Sequence, residues 1–216
     1  SSSPILGLEV AGEIVDLGGK VQDFKIGDKV CALTDGGGYA EYSSANYQHC
    51  FYIPQNFDFI KSACIPEAAF TVYDNIFERA KLKSNETVLI HGGSSGIGSF
   101  AIQLIKAFGA MVITTSGTQE KCDFCSNLGS DLSLNYNKDN WVKEIDSITK
   151  GKGVNVVLDI VAGDYINKNI SIMSLKGRHI TIALQKGRYS EIDIGLVMRK
   201  QLVLSGSTLR PQSIEE

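Results

Sequence analysis

The sequence predicts an α/β protein, a doubly wound parallel sheet preceded by a small all-β part. Three observations predict it. From residue 86 onward, apolar runs rich in Val and Ile alternate with amphipathic stretches of helical period. Before residue 56 the runs are short and punctuated by glycine pairs. At one junction between run and helix, residues 87–98 read TVLIHGGSSGIG, with four glycines and two serines after His91.

The elements follow in order. LEVAGEIVDL, GDKVCAL, YAEYSS and CFYIP read as short strands, with turns at Gly18-Gly19, Gly27-Asp28 and Gly36-Gly37-Gly38. In YAEYSS the alternation puts Tyr39 and Glu41 on one face, a pattern of packing and turn geometry. A helical stretch runs from about Phe57 to Leu82, interrupted near Pro66. Strand 87–91 leads to helix 96–108, with Ile97, Ala101, Leu104, Ile105 and Phe108 on one face. Strand 111–115 leads to a helix from about Thr118 to Leu128, and LSLNY leads to a helix near 140–149. Strand VNVVLDIV precedes helix 164–174, and HITIAL precedes a helix near 191–199 that ends in strand LVLSGS. Apolar strands separated by helices require crossover connections, hence parallel pairing with both faces covered.

The glycine turn sits between a strand and a helix N-terminus. That junction presents free backbone N–H groups and the positive end of a helix dipole, which suits a phosphate. The donors are the N–H groups of Ser95, Gly96, Ile97 and Gly98, with the Ser94 and Ser95 hydroxyls beside them. Gly93-x-x-Gly96-x-Gly98 differs from the usual G-x-G-x-x-G spacing, so context rather than motif carries the dinucleotide reading. A nucleotide that lacks a 2′-phosphate is usually held by Asp or Glu at the end of the second strand. Here that strand ends in Ser116-Gly117, uncharged, and Lys121 follows in the next helix. A hydroxyl and a cation favour NADPH over NADH, with Glu120 as the counter-indication.

Other features bound the function. The 216 residues are 43% hydrophobic with net charge −3 and no basic block, which argues against nucleic acid as the main partner. No apolar run approaches membrane-spanning length, and no signal-peptide pattern opens the chain. Five cysteines, an odd number, read as reduced thiols of a cytoplasmic protein. Cys122-x-x-Cys125 has no second ligand pair, so it reads as small helix thiols rather than a metal or redox site. His49, His91 and His179 have no nucleophile or carboxylate at readable spacing and read as structural. The first residue is not Met and both ends abut strand-like segments, so a fragment is the expectation.

LGLEVAGEIVDLG, VQDFKIGDKVCAL, GGGYAEY, IPEAAFTVYDNIF and VLIHGGSSGIGSFAIQLIKAFGA follow one another in order. Together they resemble the medium-chain dehydrogenase/reductase superfamily, in its zinc-independent, zeta-crystallin-like quinone oxidoreductase branch. The resemblance implies part of a GroES-like domain over 1–68, a Rossmann dinucleotide-binding domain over 69–208, and over 209–216 the start of a return to the first domain. Zinc members carry Gly-His-Glu where this chain has Gly7-Leu8-Glu9, and a cysteine where it has Glu67; the resemblance therefore implies no catalytic zinc. It implies that Gly117, Lys121 and Tyr136 flank the 2′-phosphate. It implies that Thr71, the loop Ala183-Leu184-Gln185, and Ser207, Thr208 and Leu209 lie at the nicotinamide end. That loop departs from the Gly-Asn or Gly-Leu common in the family. The implied activity is NADPH-dependent reduction of a quinone-like small molecule by a homodimer or homotetramer, with no catalytic acid or base legible. The alternatives are an enoyl or alkenal reductase of the same superfamily and a non-catalytic NADPH-binding protein. A short-chain dehydrogenase is disfavoured, because Tyr165-x-x-Lys168 lacks that class's Tyr-x-x-x-Lys spacing and some ninety residues precede the turn.

Overall fold

The computed structural model describes residues 4–209. Its contacts divide the chain into two units, one reaching Phe70 and including Leu209, the other Thr71–Thr208. Residues 210–216, read above as the rest of a return segment, lie outside the described residues.

In the first unit, β1 (Glu9–Glu13), β2 (Lys29–Leu33) and β3 (Cys50–Tyr52) form an antiparallel sheet in that order. Cys31 and Ala32 on the middle strand are its buried centre. YAEYSS is not a strand. Gly36 and Gly37 take positive φ, and the N–H groups of Gly37, Gly38 and Tyr39 donate to the carbonyls of Ile5, Gly7 and Leu6. The segment is tied to the chain before β1 instead of extending, and Tyr39 and Glu41 are exposed rather than packed.

The helical stretch is built in three pieces. In α1 (Phe59–Ser62) the Asp58 side chain accepts from Lys61 N–H at 2.7 Å. Pro66 opens α2 (Pro66–Val72), where its missing N–H costs nothing. The chain then widens into a π-helical turn, Tyr73–Arg79.

The second unit carries six strands: β4 (Thr87–His91), β5 (Met111–Ser116), β6 (Leu132–Asn135), β7 (Val154–Asp159), β8 (Met173–Thr181) and β9 (Val203–Gly206). The helices between them are α3 (Gly96–Ala107), α4 (Gln119–Asn127), α5 (Trp141–Ile148), α6 (Tyr165–Ile172) and α7 (Ile194–Lys200). The strands pair in parallel in the order β6-β5-β4-β7-β8-β9. Counted from β4, that is 3-2-1-4-5-6, the doubly wound Rossmann order. Both faces are covered, as alternate strand residues show. Val88 and Ile90 pack with Ile76, Ile102 and Ile105, whereas Leu89 packs with Trp141, Ile145 and Tyr165.

Helix α6 stops two residues earlier than its pattern predicts, and β8 begins at Met173 rather than His179. The Lys200 ammonium donates to the carbonyls of Ser171 and Met173, both at 2.7 Å, which draws the chain out of the helix. Neighbouring strands β4 and β7 connect in opposite directions, so a crevice opens at their carboxyl ends. No helix among the described residues is long and apolar enough to cross a membrane.

Candidate functional site: the carboxyl ends of the parallel strands

The glycine turn leaves β4 at the switch point. Gly92 (φ +73) and Gly93 donate their N–H groups to the Thr115 carbonyl at 3.0 and 3.1 Å, which bends the chain against β5. A Cβ on Gly92 would run into Ile160, and one on Gly93 would lie 2.6 Å from Thr114 Cβ. A Cβ on Gly98 would meet the Gly92 carbonyl and lie 2.6 Å from the Gly93 oxygen, so Gly98 lets α3 close onto the strand. Gly96 alone of the four faces open space.

The four expected N–H donors are not equivalent. Ser95 N–H is committed to the Gly92 carbonyl at 2.9 Å. Gly98 N–H is committed to Ser95 Oγ, the N-cap of α3, at 3.0 Å. Among the described residues no acceptor is placed for the N–H groups of Gly96 and Ile97. The Ser95 hydroxyl, accepting from Gly98, keeps its own proton to donate. The turn thus offers two amides and one hydroxyl at a helix N-terminus, a cradle that fits a pyrophosphate.

At the end of β5 the structure divides the expected set. Ser116 is buried, and its hydroxyl lies 3.6 Å from Cys125 Sγ, so it faces α4 rather than the crevice. Strand alternation causes this: Thr115 bonds His91 on one face, and Ser116 falls on the other. Gly117 and Tyr136 do meet, and Lys121 lies in the first turn of the helix that follows Gly117. The Tyr136 hydroxyl would lie 2.7 Å from a Cβ on Gly117, so only glycine lets the ring settle there. The Asn137 side chain donates to the Gly117 carbonyl at 2.8 Å. Thr118 caps α4 by accepting from Lys121 N–H at 3.3 Å. The Lys121 side chain is exposed and makes no ion pair among the described residues, and Glu120 is exposed beside it. Cys122 and Cys125 are buried free thiols.

The other end is built from distant pieces. The loop Ala183-Leu184-Gln185 follows β8, with Gln185 N–H donating to the Ile160 carbonyl at 3.3 Å and Lys186 N–H to the Val161 carbonyl at 2.8 Å. Ser207 follows β9, and its N–H donates to the Thr181 carbonyl at 3.1 Å. Asn75, in the π turn, donates from Nδ2 to the Thr71 carbonyl at 2.8 Å and accepts the Ser207 hydroxyl at 2.7 Å. Thr208 is exposed, and Leu209 groups by contact with the first unit.

Beneath the crevice lies a buried polar cluster. Asp159 ends β7 with no solvent exposure. One carboxylate oxygen accepts from the N–H groups of Val161 and Ala162 at 2.6 and 3.1 Å. The other accepts from Asn169 Nδ2 at 3.2 Å and lies 3.1 Å from His179 Nε2. Asn169 Oδ1 accepts from His91 Nε2 at 2.8 Å, and His91 Nδ1 lies 2.8 Å from the Thr115 hydroxyl. In that arrangement His91 carries its proton on Nε2. Burial pushes its pKa down and keeps the ring neutral. Burial alone raises the Asp159 carboxyl, but the hydrogen bonds from His179 and from the Val161 N–H help to outweigh it, and the group lies below its ordinary value. His91 and His179 are thus interior scaffolding. Asp159 stands alone at the end of an apolar strand in the sequence, the one signal that could mark it. Asn75 and Asn169 lie inside helical stretches and carry no such signal.

Residues 2–55 match the family described as alcohol dehydrogenase GroES-like domain, and residues 96–216 the family described as zinc-binding dehydrogenase. Quinone oxidoreductase of Pongo abelii is 33% identical over the whole chain, which covers 67% of that protein. Two solved structures superpose closely. One is Escherichia coli quinone oxidoreductase complexed with NADPH, with TM-score 0.84, 26% identity and 97% of this chain matched to 66% of that one. The other is the CurK enoyl reductase, with TM-score 0.82, 26% identity and 95% of this chain matched to 62% of that one. The chain therefore spans about two thirds of these relatives' lengths. It belongs to the medium-chain dehydrogenase/reductase superfamily, among its quinone oxidoreductase-like members.

Proposed function

We propose that this member of the superfamily acts in an NADPH-dependent, zinc-independent reductase whose acceptor is a quinone or a similarly electron-poor small molecule. The observation that carries the reading is the glycine turn at the β4/β7 switch point, with Gly96 and Ile97 N–H groups unclaimed at a helix N-terminus. When bound, the reduced nicotinamide supplies the hydride. The chain's own residues bind and orient. Gly96, Ile97 and the Ser95 hydroxyl hold the pyrophosphate. Lys121 and Tyr136, across Gly117, hold the 2′-phosphate. Thr71, Ser207, Thr208 and the loop Ala183-Leu184-Gln185 orient the ring, and orientation is the larger part of what a protein adds to direct hydride transfer.

The family description of residues 96–216 names zinc. The donors here do not fit that ion: Leu8 carries no ligand atom, and Glu9 accepts from Glu67 N–H at 3.1 Å. Among the described residues no cluster of three or more His, Cys, Asp or Glu could hold a metal. Reduction of a conjugated enoyl substrate is the second reading, favoured by the likeness to an enoyl reductase. Turnover of a naphthoquinone against a crotonyl thioester separates the two. The edge strand β9, with Val203 and Leu204 exposed, supports pairing between two copies into a homodimer. Light scattering that returned a single-chain mass would exclude it.

The test of the cofactor reading is titration with NADPH and NADH, wild type against Lys121→Ala. NADPH binds more tightly to the wild type, and the variant loses about tenfold for NADPH while NADH is unchanged. Equal losses for both nucleotides would remove Lys121 from the 2′-phosphate.

A further inference from the structure

We infer that Asn75 sets the hydrogen-bond polarity of the nicotinamide end: it fixes the Ser207 hydroxyl as a donor to itself, so that Ser207 presents only acceptor lone pairs to the ligand. The inference rests on the nicotinamide reading of Thr71 and Ser207. The orientation of the Asn75 amide is settled by its partners. The Thr71 carbonyl can only accept, so it faces Nδ2, at 2.8 Å. That leaves Oδ1 toward Ser207 Oγ, at 2.7 Å, and an amide oxygen can only accept. The Ser207 proton is therefore spent inward. Its backbone N–H is spent as well, on the Thr181 carbonyl. What Ser207 has left is oxygen lone pairs, and the side chain is only half-buried.

Asn75 is 2% exposed, so water does not compete for either of its bonds. It sits in a seven-residue π-helical turn, a widening of the helix that recurs at functional sites. The Ser207 bond joins a helix residue and a strand-end residue 132 positions apart, while the Thr71 bond holds the Asn75 amide within its own helix. The ligand group matched to an acceptor-only hydroxyl is an N–H donor, and the nicotinamide ring carries one such group, the carboxamide NH2. The acetyl of the 3-acetylpyridine analogue has the same shape and no N–H, so it offers the Ser207 lone pairs a methyl or, turned over, a carbonyl oxygen, and neither can donate.

The experiment compares dissociation constants for NADP and its 3-acetylpyridine analogue. The wild type binds the analogue about tenfold more weakly, the cost of an unmatched acceptor. In Asn75→Ala the Ser207 hydroxyl is released and can donate, so the ratio falls toward one whatever happens to each affinity. Asn75→Asp, with a proton on the oxygen that faces the Thr71 carbonyl, keeps an acceptor for Ser207 and keeps the ratio. Asn75→Leu fills the same space without polar atoms and serves if the alanine variant does not fold. A purely structural Asn75 would lower the thermal midpoint and leave the ratio alone; that result, or a wild-type ratio near one, overturns the inference while dinucleotide binding stands. A wild type that binds neither dinucleotide overturns the cofactor reading and the inference with it.

Discussion

The glycine turn and the Thr71–Asn75–Ser207 cluster are built in opposite ways. The turn spans seven consecutive residues and works through backbone: positive φ at Gly92, absent Cβ atoms at Gly93 and Gly98, two amides left over at the start of α3. The cluster works through side chains, and its bond from Ser207 to Asn75 crosses 132 positions. Both lie at one end of a parallel sheet, where the carboxyl ends of strands deliver them together. A phosphate asks for close backbone approach, which local sequence can encode. A planar ring asks for donors and acceptors on several sides, which only the assembled sheet can supply.

The largest expected effect tests the second kind of construction. Asp159→Ala removes an acceptor from two backbone N–H groups, Asn169 and His179 at once, all in the interior. Breaking a buried charged group away from its partners costs about 3–5 kcal/mol. Denaturant titration measures it, and a loss below about 1 kcal/mol would mean that water enters the cluster. Because the turn after Asp159 bonds Gln185 and Lys186, the loop over β8 should loosen too, visible as faster amide exchange at those residues.

Next comes the turn itself. Gly98→Ala puts a methyl against the carbonyls of Gly92 and Gly93, backbone atoms that cannot rotate away. The overpacking costs about 1–3 kcal/mol, and nucleotide affinity falls with it. An unchanged denaturation midpoint would show that α3 can slide off β4.

This contrast explains which parts of the molecule are legible in the sequence. The alternation of strand and helix is readable because each element carries its own period, and parallel pairing with both faces covered follows from it. The turn is readable from its glycines. Ser116 misleads because a hydroxyl at a strand end says nothing about which face it takes; its neighbour Thr115 is the one bonded to His91. YAEYSS misleads because Gly37 and Gly38 hand their N–H groups to residues thirty positions earlier. Asn75 is invisible because its meaning depends on Ser207.

A smaller effect appears as pH dependence. His91 is buried with its pKa lowered, so the unfolded chain takes up a proton before the folded one does. Stability therefore holds above about pH 6.5 and declines as pH falls from there toward the native His91 value, with slope up to about 1.4 kcal/mol per pH unit. Asp159, also lowered, adds loss in the same direction below about pH 4. His91→Gln should flatten the upper part of this decline in urea titrations between about pH 7 and pH 5. A slope equal to that of the wild type would place the proton uptake elsewhere.

The smallest expected change in stability separates fold from binding within the turn. Gly96 stands at the first position of α3, and a methyl there would find nothing within 4 Å, so the fold does not need a glycine. Gly96→Ala should leave the denaturation midpoint unchanged or raise stability by about 0.5 kcal/mol, since alanine restricts the unfolded chain and favours helix. A pyrophosphate lying on the Gly96 and Ile97 amides would meet that methyl directly, so affinity for the nucleotide should fall although the protein is at least as stable. Gly98→Ala couples the two losses, and Gly96→Ala uncouples them. If Gly96→Ala binds as tightly as the wild type, the ligand approaches the turn from the Ser94–Ser95 side, and the two amides are not its anchor.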